Sequence, residues 1–552
     1  MASGEPQVEI YYDQVIEAAY LHSKPGCFFI GPFARRVSFA SQQHRALDLV
    51  AALERRKKLV YPGTRRRKTI AVIGAGVAGL TAAAALRGQR CSVHLYERND
   101  MPLKLQMNAS HRLIHPTISR WPMGDQALTT EFSFLDWFAA PSDVVIKSLA
   151  REWDAHLAPR PHDEDFLFLP GVTVDQLHPE GGVVRLELSA TPNAPPGKVA
   201  MTAYDYVIVT TGFGEEETPG LPWVSYWSED QVDKWRGEKR KVFVSGCGDG
   251  GLIDALRLVH ADFDRGWLTI RVAQAIGEKF TNVIRDAEDE ALMAAKSLAC
   301  MNLGVGDDGE ANASTRKLGS RYENDDIVER LTDVYTRLVP RLPVEAAALL
   351  DASLEAANVQ TGRVTLVSRQ PQPFGPYAAP IHKLMVAHAR DRGRILYRQG
   401  ELVNDGGRAV IRRIRDQGAE TVTDAMGLII RHGSPANLAS LASEAERNSL
   451  RIRQFMLADY IDTKLERNLP PPPGYPSRTQ DAANYVSARY DMVKELVAAL
   501  LPGARVTATL RGFIYEPPMI APRDAEPIRV PMPREVFGLE LREGEMATVE
   551  AL

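Results

Sequence analysis

The chain is poor in what several common architectures require. Its 552 residues include only four cysteines, Cys27, Cys91, Cys247 and Cys300, widely separated. No CxxC pair occurs, which excludes a disulfide scaffold, a cysteine-rich zinc site and a dithiol redox centre. Charge bias is also lacking: 66 Lys and Arg against 70 Asp and Glu give a formal net charge of −4. No global field therefore draws the chain to nucleic acid or to a membrane surface. No apolar run approaches the length of a membrane span, and the polar, acidic start holds no signal-peptide core. Metalloprotease, nucleophile-elbow and phosphoryl-transfer motifs are missing as well. Asp307-Asp308-Gly309-Glu310 lacks the ligand spacing of a calcium loop. The expectation is a cytoplasmic chain with reduced thiols, no metal site, and no membrane or nucleic-acid partner.

What is present suits a large globular protein. Hydrophobic residues make up 45% and charged residues 25% of the chain, enough for several packed units. The first stretch reads as helix, short strand, helix, with apolar residues at helical spacing over Tyr12–Leu21 and Ala46–Leu53. Gln42-Gln43-His44-Arg45 reads as a helix start whose polar residues face water. Two basic clusters, Arg55 to Lys58 and Arg65 to Lys68, flank Pro62-Gly63 and read as a solvated helix end and linker.

From Lys68 to Glu97 the pattern is strand, glycine turn, helix, strand. Ile70 to Ile73 is fully apolar, as in a buried parallel strand. Gly74, Gly76 and Gly79 follow as GxGxxG. The first glycine permits a tight turn, the second admits a pyrophosphate, and the third lets the helix lie close on the strand. The helix N-terminus then offers free N–H groups to phosphate. Ser92 to Tyr96 forms the next strand, and Glu97 stands where a carboxylate binds ribose hydroxyls.

Downstream, a helix is expected over Asp143–His156 with Ser142 as its cap. Strands follow over Val172–Leu177 and Val183–Leu188, and Tyr206–Thr210 runs into Thr211-Gly212. A second GxGxxG, Gly246, Gly248 and Gly251, follows the strand Lys241–Ser245 and opens a helix. The strand after it is either Leu268–Val272 (with Arg271) or Val364–Ser368 (with Arg369). In the second case the mostly helical stretch Val283–Val359 is an insertion. Strands return over Arg394–Tyr397, Ala409–Ile414 and Gly427–Ile430. Pro470 to Pro473 marks a linker, Ala482–Leu501 an amphipathic helix, and Val506–Leu510 a strand.

This succession resembles the two-dinucleotide-binding-domain flavoproteins, in which a β-meander precedes a strand ending in a Thr-Gly motif. The resemblance implies an α/β fold of two Rossmann-like domains with a β-meander, an N-terminal helical extension and a helical insertion. It implies residues 1–63 as the extension and 64–235 as the FAD-binding domain. Residues 236–435 would form the second domain, with the insertion near 283–359, and 436–552 a C-terminal region completing the FAD or substrate domain. FAD would be held by Gly74, Gly76, Gly79 and Glu97, with Thr211 and Gly212 nearby. Gly246, Gly248 and Gly251 would bind NAD(P)H.

The resemblance further implies an FAD-dependent oxidoreductase, a monooxygenase in which NAD(P)H reduces the flavin and one oxygen atom passes to a small organic substrate. Two other readings stay open: an FAD-dependent amine or amino-acid oxidase, and a flavin-containing sensing or partner-binding protein. A homo-oligomer is compatible with each. Candidate catalytic groups are Arg112 and His115, in the loop after Glu97, and Arg431 and His432 at a strand end. Arg112 could stabilise reduced flavin, and His115 could exchange protons near neutral pH. Arg431-His432-Gly433 stands where related monooxygenases carry a second Thr-Gly motif, a departure from their pattern.

Overall fold

The structure, a computed structural model, describes residues 5–31, 37–123, 127–130, 132–160, 163–190, 203–212, 216, 218–263, 266–302, 324–414, 418–433, 438, 441–457, 469–473, 475, 491–492, 494–495, 505–509 and 512–516. The acidic loop at 307–310 and most of the expected helix Ala482–Leu501 lie outside these residues.

Four short apolar segments and one slightly longer strand build the first sheet. Its order is Cys27–Phe29, Tyr206–Val209, Thr69–Ile73, Ser92–Glu97, Phe166–Pro170, all parallel. Alternation along the strands divides the burial between two faces. Phe28, Ile70, Val72, Leu95 and Ile208 pack beneath the helices Glu5–Ala19, Phe39–Arg55 and Val77–Gly88. Phe29, Ala71, Ile73, Tyr96, Val207 and Val209 pack against the antiparallel meander Val172–Glu180, Val183–Ala190 and Ala203–Tyr204. His94 and Tyr96 reach across to the Tyr204 hydroxyl at 2.8 and 2.6 Å, which satisfies polar atoms inside that apolar layer.

The second sheet centres on Val242–Ser245, between Gly427–Ile430 and Val364–Ser368. Ile395–Asp405 follows in parallel, then Arg408–Arg413 and Ala419–Thr421 antiparallel. Val364–Ser368 is thus the strand that succeeds the second glycine turn. Leu268–Val272 belongs instead to the helix Trp267–Ala275. A short β-branched run is ambiguous between strand and buried helix; here Trp267, Leu268, Ile270, Val272 and Ala273 all enter the core, more faces than one strand side offers. Among the described residues, the crossover from the second-turn helix to Val364 includes the helices Trp267–Ala275, Glu278–Asn302, Asn324–Leu338 and Val344–Ala357.

Smaller departures also have local causes. The helix expected from Asp143 runs Ser142–Glu152 and continues as a π-turn over Trp153–Leu157. Pro141 is its N-cap, and the Ser142 hydroxyl donates to the Gln106 carbonyl instead. The basic clusters are paired at the surface, Arg56 with Asp13 and Arg67 with Glu54. Gln42 to Arg45 do not face water as a group: Gln43 is fully buried, donating to the Leu135 carbonyl and accepting from the Trp137 indole. Among the described residues no helix is long and apolar enough to cross a membrane.

Candidate functional site: two glycine turns and the charge cluster between them

The first turn leaves its strand at Gly74, whose φ of +99° lies where L side chains are strained. A Cβ on Gly79 would stand 1.8 Å from the Gly74 carbonyl oxygen, so the helix can approach the strand only with glycine there. Gly76 is different: nothing lies within 4 Å of its absent Cβ. It caps the helix Val77–Gly88 without a side-chain acceptor, so the first-turn N–H groups stay available to an anion. The Glu97 carboxylate is buried at the neighbouring strand end, accepting from the Ala75 N–H at 2.7 Å and from the Asn99 N–H at 2.8 Å. These bonds fix it beside the turn, and its remaining lone pairs can accept ribose hydroxyls.

The turn is closed on its other side by Thr210, which the sequence reading passed over for its neighbour. The Thr210 hydroxyl lies 2.8 Å from both the Ile73 and Gly74 carbonyls. Thr211 is exposed beyond it, and Gly212 takes a φ of +73°. A threonine ending an apolar strand that pairs with the turn strand was the available signal.

The second turn repeats this construction. Gly246 has a φ of +116°, a Cβ on Gly251 would stand 2.0 Å from the Gly246 carbonyl oxygen, and Gly248 faces open space at the N-cap of the helix Asp249–Val259. Arg431 takes the place of Thr210: it follows the strand beside the turn, and its carbonyl oxygen would meet a Cβ on Gly246 at 1.9 Å. His432 and Gly433 therefore correspond to Thr211 and Gly212, and Gly433 has a matching φ of +82°. His432 Nε2 lies 2.8 Å from the Ser245 hydroxyl, at the exposed carboxyl edge of the second sheet.

At the second helix start, Asp249 accepts from the Ala379 N–H at 2.9 Å and faces His382 Nδ1 at 2.7 Å. Burial opposes its charge, yet His382 and the Ala379 N–H hold the carboxyl below its ordinary range. The strand Val364–Ser368 ends at Arg369, which is 74% exposed and paired with Glu401.

Arg112 and Arg431 come together, but not at an open site. Both bind Asp254, which is fully buried on the second-turn helix: Arg112 through Nη1, and Arg431 through Nε at 2.8 Å. Arg257 bridges Asp254 at 3.3 Å and Asp230 at 2.6 Å. Glu216 lies 3.4 Å from Arg431. The Tyr226 ring lies beneath both arginines, 3.8 Å from the Arg112 guanidinium and 5.6 Å from that of Arg431. Three cations thus meet three carboxylates; Arg112 Nε and Arg431 Nη1 also donate to the Tyr226 and Val224 carbonyls, while Arg257 Nε is buried with no hydrogen-bond partner among the described residues.

Burial alone would neutralise Asp254, but Arg112, Arg431 and Arg257 outweigh it and hold the carboxyl far below its usual range. The same balance raises Arg112. His111, at the edge, is pushed down to about 4 by burial and then by Arg112 and Arg257.

The sequence-based expectation has Arg112 and Arg431 among the catalytic groups. Each is engaged with carboxylates and carbonyls, and together they tie the loop after Glu97 to the second unit. Trp121 in the same loop joins that unit's core. The sequence signal was Asp254 itself, an acid among the apolar residues Leu252, Ile253, Ala255 and Leu256. His115, the expected proton exchanger, is buried: burial pushes it down to about 3, and its Nδ1 accepts from the Thr117 and Ile118 N–H groups, both at 3.1 Å. Among the described residues no group of three or more His, Cys, Asp or Glu could hold a metal.

A family model described as FAD dependent oxidoreductase matches residues 69–171, the segment from the first turn strand through the strand Phe166–Pro170. No curated protein matches the chain. Among solved structures, T. acidophilum thioredoxin reductase is similar at 12% identity and a TM-score of 0.31, over 72% of this chain and 99% of that one. The bacillithiol disulfide reductase of Bacillus cereus gives 12% and 0.34, over 72% and 99%. The ornithine N-hydroxylase of Kutzneria sp. 744 gives 12% and 0.33, over 68% and 83%. The family match falls on a turn whose geometry fits a dinucleotide, and it likens residues 69–171 to FAD-dependent oxidoreductases. The chain's two main sheets each carry a parallel strand, a glycine turn and a helix in a Rossmann-like arrangement.

Proposed function

We propose that the chain is an NAD(P)H-dependent flavin monooxygenase acting on a small organic substrate. The observation that carries this reading is the second glycine turn, which reproduces the first down to its close helix approach and its open central glycine. A site for a nicotinamide reductant favours this over an amine or amino-acid oxidase, whose substrate reduces the flavin directly. The cysteines argue against disulfide reduction: Cys27, Cys91 and Cys247 are free and buried, and burial pushes each thiol up to about 12. A cytoplasmic setting goes with the reading.

In this assignment Gly74, Gly76, Gly79 and Glu97 hold FAD, with Thr211 and Gly212 at the neighbouring strand end. Gly246, Gly248 and Gly251 receive the pyrophosphate of the nicotinamide cofactor, and His432 stands beside it. Arg369, at the carboxyl end of the next strand, is placed for a 2′-phosphate, which favours NADPH. Bound there, the two groups supply hydride transfer and reaction with oxygen. The protein supplies the position: Arg112, Asp254 and Arg431 hold the two turns in a fixed relation as positioning residues.

Anaerobic mixing tests this. NADPH should bleach the flavin, and NADH should do so more slowly. If both fail while an amine or amino acid bleaches it, the oxidase reading replaces this one.

A further inference from the structure

Arg45, at the end of the run Gln42 to Arg45 expected at the surface, lines a cavity that the oxidoreductase reading does not use. The cavity lies where the helices Glu5–Ala19 and Phe39–Arg55 cover the end of the strand Cys27–Phe29, and its volume, open mouth included, is about 420 Å³. Its walls are mostly apolar, with Val15, Ala18, Ile30 and Leu49 among them, and two charged groups reach it, Arg45 and Asp48. The Arg45 Nε is out of solvent and has no hydrogen-bond partner among the described residues. Gln42 Nε2, one helical turn away and close against Gly31 at the cavity wall, is in the same condition. Buried donors are rarely left in this state without a ligand or water to accept from them. Burial lowers the Arg45 guanidinium only to about 10, so it is cationic at neutral pH.

We propose that this cavity binds a small organic carboxylate, with Arg45 holding the carboxylate and the Val15–Leu49 wall covering a short apolar tail. The planar guanidinium fork matches a carboxylate, and the interior suits a hydrocarbon body. A dianionic phosphate is disfavoured, because Asp48 lies one turn from Arg45 and leaves little net charge for a second anionic oxygen. Phe29, Ile30 and Gly31, at the carboxyl end of the strand Cys27–Phe29, line the cavity. Ile30 donates to the Val209 carbonyl, and the strand ending there pairs with the strand of the first glycine turn. At ordinary strand spacing, two strands separate cavity and turn by roughly 10 Å. The site would thus bring an anionic molecule to the edge that carries the flavin turn, although binding itself needs no flavin.

Calorimetric titration of the full chain with hexanoate, hexanamide and inorganic phosphate tests the proposal. Hexanoate should bind at millimolar concentration, with the amide about tenfold weaker or more, as expected for loss of a charge-assisted bond. Phosphate should not bind. Arg45→Met should remove the preference for acid over amide, and Arg45→Lys should restore part of it. Ala18→Phe fills the cavity and leaves the guanidinium in place; it should abolish binding of both organic probes. Equal affinity for acid and amide, binding unchanged in Arg45→Met, or no acid binding to the wild type would each overturn it. Flavin content and NADPH reduction are read separately, so failure here leaves the oxidoreductase reading standing, and the reverse holds.

Discussion

The two glycine turns are built alike and differ in what closes them. In each, a left-handed glycine ends the strand, a third glycine lets the helix touch the backbone behind it, and the middle glycine faces open space. The first is closed by the small Thr210 hydroxyl. At the second, Arg431 stands in that place and runs away from the turn into a buried charge cluster shared with Arg112. The shared features are those that a diphosphate requires. The one that differs serves the junction between domains, so an identical backbone plan can carry unlike side chains where only the backbone meets the ligand.

Substitutions within each turn break this comparison most sharply. Gly79→Ala and Gly251→Ala drive a Cβ into a carbonyl oxygen and should each abolish soluble folded protein, as read by expression and circular dichroism. Gly76→Val and Gly248→Val should fold, because both positions have extended backbone and free space. Their losses should separate: the first loses the flavin, while the second keeps it and loses reduction by NAD(P)H by about a hundredfold or more, the cost of blocking several phosphate contacts. Loss of flavin in both, or in neither, would mean that the turns are not the separate sites described.

The junction is the next target. Arg112→Met leaves Asp254 buried with one partner fewer and should lower stability by about 3–5 kcal/mol in urea unfolding. An effect near zero would show that the cluster does not bind the units together. Arg369→Ser should reduce the preference for NADPH over NADH by about tenfold, the worth of one exposed charged contact to phosphate.

The smallest effect concerns pH. His115 titrates at about 3 when folded, against an ordinary 6.5. The unfolded chain therefore binds the extra proton between those values, and stability falls as pH drops through that window. His115→Gln should reduce the slope of unfolding free energy between pH 6.5 and 4 by about 1.4 kcal/mol per pH unit. An unchanged slope would show that His115 is not buried neutral.

Much of the scaffold was legible because it is local. The apolar strands, both glycine turns and Glu97 lie within short windows in which strand period, turn residues and helix start agree. What escaped depends on distant partners. The strand Cys27–Phe29 was visible as a strand, but its pairing with Tyr206–Val209 spans about 180 residues that no pattern bridges. Arg112 and His115 read as flavin groups because their loop follows Glu97; the partners of the buried Arg112, Tyr226 and Asp254, lie beyond residue 220. Gln43 read as solvated because amides usually are, and only the Trp137 indole and Leu135 carbonyl make its burial favourable. Leu268–Val272 stayed open as an alternative to Val364–Ser368 for another reason, since a five-residue apolar run has no period long enough to choose.

The visible spectrum of the full chain, purified and passed through gel filtration after incubation with FAD, bears most directly on the first turn. One flavin per chain, with bands near about 370 and 450 nm, is the predicted result. A folded, colourless protein that releases all added FAD would contradict it.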